Sequence, residues 1–422
     1  MERGSVDRVL AAPGLLLLTM LALQACDSAG TPAGTLHSDS AGVAIATALE
    51  PLWESGDGWT VSDEPLVEIG AAFGASEYQL DSVVGVVRLG NGDIVIGERF
   101  SGELRGYDRE GVFMWRAAGS GDGPGEHRRL ISLHAFAGDS LVTFDIAQDR
   151  LQVFAPGGEF VRALRVEGSW PGFSSGSPIG VSGHRLVIDP ADYSRIPEGV
   201  VRWPAIRLAT LSLEDGTIAA LLDVPGGEQF VERLGEGVVY QGYEFAKGPV
   251  FAAEAGRLAV ADTEAYAVRW VSTDDGSITR ILRRDEPIRP VTSVHVEAWL
   301  DEMAERNMTY NRYTREQAEA AKPGWRDRPR AETLPALRSI HLDATGHLWV
   351  EPYFGPGVER SPFEVYAPDG TWLGSISMPP GLDRGATAGS APHLEIGDDY
   401  VLGVWRDAQG VEYVRLYRLD KS

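Results

Sequence analysis

A repeat of about 47 residues constrains the fold of this chain more than any other feature. In its first two copies, an apolar residue that opens a strand is followed 13 residues later by an aromatic residue and 17 residues later by a glycine. The matched positions are Ile94, Tyr107 and Gly111 in one copy, and Leu141, Phe154 and Gly158 in the next. Each copy contains short apolar strands separated by turns that end in glycine. A period of this length with about four strands is typical of the blades of a β-propeller.

Later parts of the chain carry weaker copies of the same pattern. Their second strands begin at Arg185, Arg257, His347 and Tyr400. Six copies predict an all-β fold, a six-bladed β-propeller. The last copy reaches the C-terminus and lacks a fourth strand, which residues 59–61 and 65–70 are expected to supply. The ring would then be closed by strands from both termini, which leaves no exposed sheet edge.

These motifs also carry a family resemblance. The stretches NGDIVIG, LRGYDREG, GSGDGPGE and GDSLVTFDIAQDRLQVF together resemble the bacterial six-bladed β-propeller lipoproteins with NHL-type repeats, in the TolB-like propeller superfamily. The resemblance covers about residues 42–420. It implies the fold and a secreted or lipid-anchored protein. It implies no single activity, because propellers host many functions.

Residues 1–26 have the features of a lipoprotein signal peptide. Arg3 and Arg8 give a basic start, and residues 9–23 are mostly apolar but too short for a comfortable membrane span. The following LQAC resembles a bacterial lipobox and ends at Cys26, the only cysteine of the chain. We therefore predict that Cys26 is lipidated and anchors the protein in the bacterial cell envelope, on the periplasmic or outer-surface side. An ordinary secretory signal is the alternative.

The charge balance limits the partners. The chain has 61 acidic and 38 basic residues and a net charge of −23. Such a chain is expected to bind no nucleic acid, because phosphate contacts need Lys and Arg. The expected partners are the membrane, through the lipid anchor, and a protein or a glycan. We expect the chain to be monomeric.

Two glycine-containing motifs lack the context of a catalytic or phosphate-binding site. Residues 119–126, GSGDGPGE, are interrupted by Pro124, precede no predicted helix and lack the Gly-Lys-Ser/Thr of a P-loop. We interpret this stretch as a crossover loop between two blades, with a ligand loop as the alternative. Residues 172–176 match the G-x-S-x-G nucleophile elbow, but Pro171 and Pro178 flank them, so no helix can follow.

Several predicted second strands end in an acidic residue. These acids are Glu98, Asp145, Asp189, Asp262 and Glu351. In a propeller such positions approach one mouth of the central channel. Their oxygens could hold Ca²⁺ as a cofactor, with Asp145 as a weak candidate metal ligand. The favoured alternative is that each carboxylate accepts backbone N–H bonds in its own turn, and that there is no cofactor.

Residues 27–41 are small and polar and predict a flexible tether before a propeller of residues 42–422. Residues 291–335 interrupt the strand pattern. Their apolar spacing predicts a helix, and Thr314-x-x-Gln317 predicts a capping box for a second helix that Pro323 ends.

This insertion has two open interpretations. It is a helical hairpin lying on the ring, or it is a lid over the channel mouth. In the second case, the aromatic contacts near the mouth are Tyr310, Tyr313 and Trp325.

No catalytic constellation stands out in the sequence. The leading hypothesis is a lipid-anchored, extracytoplasmic propeller that acts as a binding or interaction module. The alternative is a metal-dependent hydrolase or lyase of the gluconolactonase type. That activity needs three or four converging side chains, and only the acids at the strand ends offer them. A structural role within a surface complex is a third hypothesis.

Overall fold

The computed structural model describes most of the chain after the predicted signal peptide. The described residues are 34–54, 57–165, 177–183, 185–189, 199–202, 205–234, 237–241, 243–254, 256–310, 313–357, 362–383, 394–407 and 409–422. Cys26 and the GFSSG stretch lie outside them. Ala33–Ser422 forms one compact unit. Among the described residues, no helix has the length and apolarity needed to cross a membrane.

The fold consists of antiparallel four-stranded meanders that follow one another along the chain. The N-terminal strands are β1 (Thr35–Ser40), β2 (Val43–Ala48), β3 (Thr60–Val61) and β4 (Val67–Ile69). The first meander is made of β5 (Val83–Arg88), β6 (Ile94–Glu98), β7 (Glu103–Tyr107) and β8 (Phe113–Ala118). The second is made of β9 (Leu130–Phe136), β10 (Ser140–Asp145), β11 (Arg150–Phe154) and β12 (Phe160–Arg165).

The next seven strands form the third meander and a separate inserted sheet. They are β13 (Ser177–Ser182), β14 (Arg185–Asp189), β15 (Gly199–Arg202), β16 (Ile206–Ser212), β17 (Ile218–Val224), β18 (Glu228–Leu234) and β19 (Gly237–Gln241). β13, β14, β16 and β17 form the third meander, whereas β15, β18 and β19 form a separate three-stranded sheet. The fourth meander is made of β20 (Pro249–Glu254), β21 (Arg257–Asp262), β22 (Ala267–Val271) and β23 (Ile278–Arg283).

Two helices precede the last meanders. They are α1 (Ser293–Tyr310) and α2 (Arg315–Arg326). The fifth meander is made of β24 (Leu337–Leu342), β25 (Leu348–Pro352), β26 (Phe363–Tyr366) and β27 (Trp372–Ile376). The sixth contains β28 (Leu394–Ile396), β29 (Tyr400–Arg406) and β30 (Glu412–Asp420).

The number of separate blades differs from the prediction. Four meanders, the first, second, fifth and sixth, stand as separate sheets, so the structure has four blades and the prediction of a six-bladed propeller is wrong. The third and fourth meanders belong to one ten-stranded sheet, because β13 and β20 pair in parallel at Gly180 and Ala253. A Cβ on Gly180 would lie 2.4 Å from the carbonyl oxygen of Ala253, so the glycine permits this approach.

The meanders form a closed ring, which is a propeller arrangement. Clusters of buried apolar residues lie between each meander and the next along the chain. A further cluster, which includes Ile96 and Val404, joins the sixth meander to the first. Burial of these clusters supplies the main stabilisation, because a single meander would expose both of its apolar faces.

Strands from both ends of the chain complete the sixth meander, as predicted. β30 pairs antiparallel with β4, with Leu416 opposite Val67, and with β3, with Leu419 opposite Val61. At the N-terminal side the structure differs from the prediction. β1 lies within residues 27–41, where a flexible tether was expected, because β1 pairs with β2 and β2 in turn pairs with β23.

The glycines of the repeat close its outer turns. Gly111, Gly158 and Gly370 have φ values of 81°, 88° and 90°, a left-handed conformation that favours glycine. Each of them donates its N–H to the carbonyl three residues earlier, at 2.8–2.9 Å. The period read from the sequence is therefore a period of tight turns.

Residues 291–335 contain the predicted pair of helices. Thr314 Oγ1 accepts the N–H of Gln317 at 3.2 Å, and Gln317 Oε1 accepts the N–H of Thr314 at 2.8 Å, which is the predicted capping box. The prediction that Pro323 ends α2 is wrong. The helix continues to Arg326, because Trp325 packs into the core of the hairpin and the N–H of Asp327 donates to the carbonyl of Pro323.

Candidate functional site

The second strands of the meanders end on one face of the ring, which we call the loop face. There Glu98 lies opposite Val83 and Asp262 opposite Pro249, so each strand end meets the start of an innermost strand. The α1–α2 hairpin follows β23 and precedes β24, and it therefore lies on the same face. The opposite face carries the turns between the first and second strands and between the third and fourth strands of each meander. We call it the turn face.

Asp145 is fully buried on the loop face, and the backbone around it satisfies its carboxylate. It accepts the N–H groups of Arg128, Arg129 and Ala147 at 2.7, 3.2 and 3.0 Å. It also accepts a bond from Gln148 Nε2 at 2.8 Å. Four bonds fill the lone pairs of a carboxylate. This geometry supports the interpretation of Asp145 as a turn residue.

Glu98 has a corresponding place in the first meander. It accepts the N–H of Asp81 at 3.1 Å and the hydroxyl of Ser101 at 3.0 Å, and Arg105 Nη2 lies 2.9 Å from its Oε2. Burial raises the pKa of Glu98, and the charge of Arg105 opposes that shift. The carboxylate thus fixes the entry to the innermost strand β5.

The other predicted acids have different partners. Asp262 accepts the N–H of Glu264 at 3.1 Å and forms an ion pair with Arg202. Glu351 accepts the hydroxyl of Ser339 at 3.1 Å and lies 3.9 Å from Arg338 Nε. The side chain of Asp189 lies outside the described part of the structure.

Arginine partners were missing from the sequence prediction. Arg105, Arg202 and Arg338 pair with three of the predicted acids. In the sixth meander, Glu412 pairs with Arg406 and accepts the N–H of Val83 at 2.9 Å. Within the described residues, no three His, Cys, Asp or Glu side chains are grouped as a metal site would require. The acids and arginines therefore form a set of local pairs along the loop face.

The three candidate lid aromatics do not share one environment. Trp325 is only 7% exposed and packs with Trp299 and Leu300 in the core of the hairpin, so it is not an accessible contact. Tyr313 is 40% exposed. The side chain of Tyr310 lies outside the described part of the structure.

Large apolar side chains protrude from the loop face. Phe73, between β4 and β5, is 90% exposed, and Phe100, between β6 and β7, is 70% exposed. Ile288, Val294 and Phe354 are also exposed on segments of this face. The sequence reading missed them. For Phe73 and Phe100, the sequence feature that could have revealed them is a large aromatic residue flanked by small and polar residues in a turn, in AAFGAS and ERFSGE.

The GSGDGPGE stretch also lies on the loop face, between β8 and β9. Its N–H groups bond to the protein itself: Gly123 to Glu126 Oε2 and Gly125 to Gln152 Oε1, both at 2.8 Å. Below it, the buried His127 ring contacts the carbonyl of Gly102 and the hydroxyl of Thr143 at 2.8 Å each, and burial lowers its pKa. These bonds support the interpretation as a crossover loop.

A titratable carboxyl lies near the turn face, and nothing in the sequence pointed to it. Glu395 on β28 accepts the N–H of Arg88 at 3.1 Å and the hydroxyl of Tyr400. The guanidinium of Arg88 lies over the Tyr400 ring at 4.5 Å. Burial raises the pKa of Glu395 to about 7, against the hydrogen bonds from Tyr400 and Arg88, and the charge of Glu254 adds to the rise. This group can exchange a proton near neutral pH.

Comparison with known proteins gives little beyond the fold. No family model matches the chain. The methylmalonyl-CoA mutase small subunit of Streptomyces virginiae is 28% identical over 161 residues, which cover 36% of this chain and 23% of that protein. The chain thus spans about a quarter of the length of the curated relative that it matches.

Several solved structures share the β-propeller architecture. A candidate exported protein of Bacteroides fragilis is 12% identical, covers 86% of this chain and 95% of its own, and has a TM-score of 0.46. A gluconolactonase of Xanthomonas campestris is 10% identical, with 81% and 87% covered and a TM-score of 0.42. The calcium-binding protein regucalcin of Agrobacterium tumefaciens is 11% identical, with 82% and 94% covered and a TM-score of 0.38. Such distant likenesses concern the fold alone.

Proposed function

We propose that this chain is a lipid-anchored propeller of the cell envelope whose loop face binds a protein or glycan partner. One observation carries the proposal. On that face Glu98 and Asp262 pair with arginines, whereas Phe73, Phe100 and Phe354 are exposed to solvent. Exposed aromatic side chains are typical of interaction sites, because covering each one contributes about 2 kcal/mol.

The anchor is proposed from the sequence. Cys26 follows an apolar stretch in a lipobox-like context, and the repeat motifs resemble those of NHL-type propeller lipoproteins. A net charge of −23 disfavours contact of the ring with anionic lipid, so attachment to the membrane would depend on the acyl anchor. Replacement of Cys26 by serine should release the protein from the membrane fraction, and retention there would contradict the anchor.

The contacts of the strand-end acids disfavour a metal-dependent hydrolase or lyase. The carboxylate of Asp145 is satisfied by four N–H donors, and Glu98, Asp262 and Glu351 have arginine partners. Binding of a divalent cation would have to break these bonds.

The loop-face proposal is tested with a triple variant, Phe73→Ser, Phe100→Ser and Phe354→Ser. The matched control replaces Val112, Met114 and Val161 with serine, since these exposed apolar residues belong to the outermost strands or their turns. Both proteins are cross-linked in intact envelopes and their partners are quantified. We expect the loop-face variant alone to lose a partner, and equal recovery by both variants would overturn the proposal.

A further inference from the structure

A cavity of about 400 Å³ opens on the turn face between the fourth and fifth meanders. Its walls are turns of these two meanders, with Gly256 and Asp274 on one side and Gly346 and Pro368 on the other. Trp270 contributes an apolar wall. The volume lies in the range of pockets that hold small molecules.

Two arginines line this cavity with unused hydrogen-bonding capacity. In the part of the chain that the structure describes, the exposed Arg257 side chain has neither a hydrogen bond nor an ion pair. Its guanidinium lies against Gly346, where an added Cβ would be 2.6 Å from Arg257 Cζ. Arg280 donates through Nη1 to the carbonyl of Pro368, and its Nε is buried without a partner.

The acidic residues near this cavity are engaged elsewhere. Asp274 accepts a bond from Arg185 Nη1 at 3.4 Å, and Asp369 accepts the N–H of Thr371 at 2.9 Å. Among the described residues, neither forms an ion pair with Arg257. Against the effect of burial, the N–H of Thr371 and, to a smaller extent, the charge of Arg280 lower the pKa of Asp369. In a chain with a net charge of −23, the guanidinium of Arg257, which has no carboxylate partner among the described residues, leaves room for an anion from outside.

We propose that this cavity binds a small oxoanion, a carboxylate or a phosphate, through Arg257 and Arg280. The planar guanidinium group donates parallel bonds to the oxygens of either anion. The cavity and the aromatic residues of the loop face lie on opposite faces, so the two proposals are independent.

The test is calorimetric titration of the full chain with inorganic phosphate and, separately, with succinate, at constant ionic strength. We expect saturable binding of at least one anion, and Arg257→Gln should weaken it at least about tenfold. The matched control is Arg207→Gln, because Arg207 is an exposed arginine paired with Asp223 at 2.6 Å and lies outside the cavity. The control should bind as the wild type does.

The two anions distinguish the natural source. Binding of phosphate alone supports a phosphate ester, and binding of succinate alone supports an organic acid. Absence of saturable binding by both anions at millimolar concentration would overturn the proposal, as would equal affinities of the wild type and Arg257→Gln. Arg257 is the primary site of substitution because it is exposed, whereas Arg280 packs next to Gly370.

Discussion

Glu395 should make the stability of the folded protein depend on pH near neutrality, and Glu395→Gln should remove that dependence. In the folded chain its pKa is about 7, whereas an ordinary glutamate titrates near 4.5. Between these values the folded state holds a proton that the unfolded state has lost. The contribution of Glu395 is therefore fully present below pH 4.5 and is lost as the pH rises through 7.

The magnitude follows from the width of that window. Each pH unit over which the folded state holds the extra proton lowers the free energy of unfolding by about 1.4 kcal/mol, so the full loss is about 3 kcal/mol. Glutamine keeps the shape of the side chain. Its carbonyl oxygen can accept the N–H of Arg88, and its amide can donate to the oxygen of Tyr400.

The assay is urea unfolding of the wild type and of Glu395→Gln at pH values of about 4 and about 8. The free energy of unfolding of the variant minus that of the wild type should be about 3 kcal/mol larger at the higher pH than at the lower pH. Glu110→Gln is the control, because Glu110 is exposed and paired with Arg109. Parallel pH curves for the wild type and Glu395→Gln would refute the reasoning.

Three further predictions concern the loop face. Asp145→Ala should lower the free energy of unfolding by about 2–4 kcal/mol in chemical denaturation, because it removes the acceptor for three backbone N–H groups. Millimolar Ca²⁺ should leave the wild-type melting temperature unchanged, and a clear rise that Asp145→Asn abolishes would contradict the turn interpretation. Because burial depresses the pKa of His127, its contribution to stability is present above about pH 6.5 and is lost as the pH falls below that value. His127→Gln should flatten the acid limb of the stability curve, and an unchanged slope would contradict this account.

The propeller arrangement could be predicted because it depends on short-range sequence rules. A left-handed turn needs glycine at a fixed place in each copy, and Gly111 and Gly158 reveal the period. The merged sheet could not be predicted in the same way. It depends on the contact between Gly180 and Ala253, which are 73 residues apart in the chain. A single glycine in the sequence does not indicate which distant residue it will contact. β1 was missed because its sequence, TLHSDS, is polar and mostly exposed.

In the candidate site, too, some residues could be predicted from the sequence and others could not. The acids at the ends of second strands repeat with the blades, so the sequence located them. Their arginine partners do not repeat: Arg105 comes from a third strand, Arg202 from the inserted β15, and Arg338 from an innermost strand. Charge pairs that are assembled from unrelated positions can be recognised only after the chain has folded.

The distribution of unpaired groups gives the two faces different chemistry. On the loop face the acids Glu98 and Asp262 are paired with arginines. An apolar partner that covers this face would therefore bury few unpaired charges. On the turn face, the free guanidinium of Arg257 gives an anion a direct contact. Sites on opposite faces share no contacts, so their variants should be additive. The Phe73, Phe100 and Phe354 substitutions should therefore leave anion affinity unchanged, and Arg257→Gln should leave partner recovery unchanged. Loss of both functions in either variant would instead indicate that the ring had unfolded.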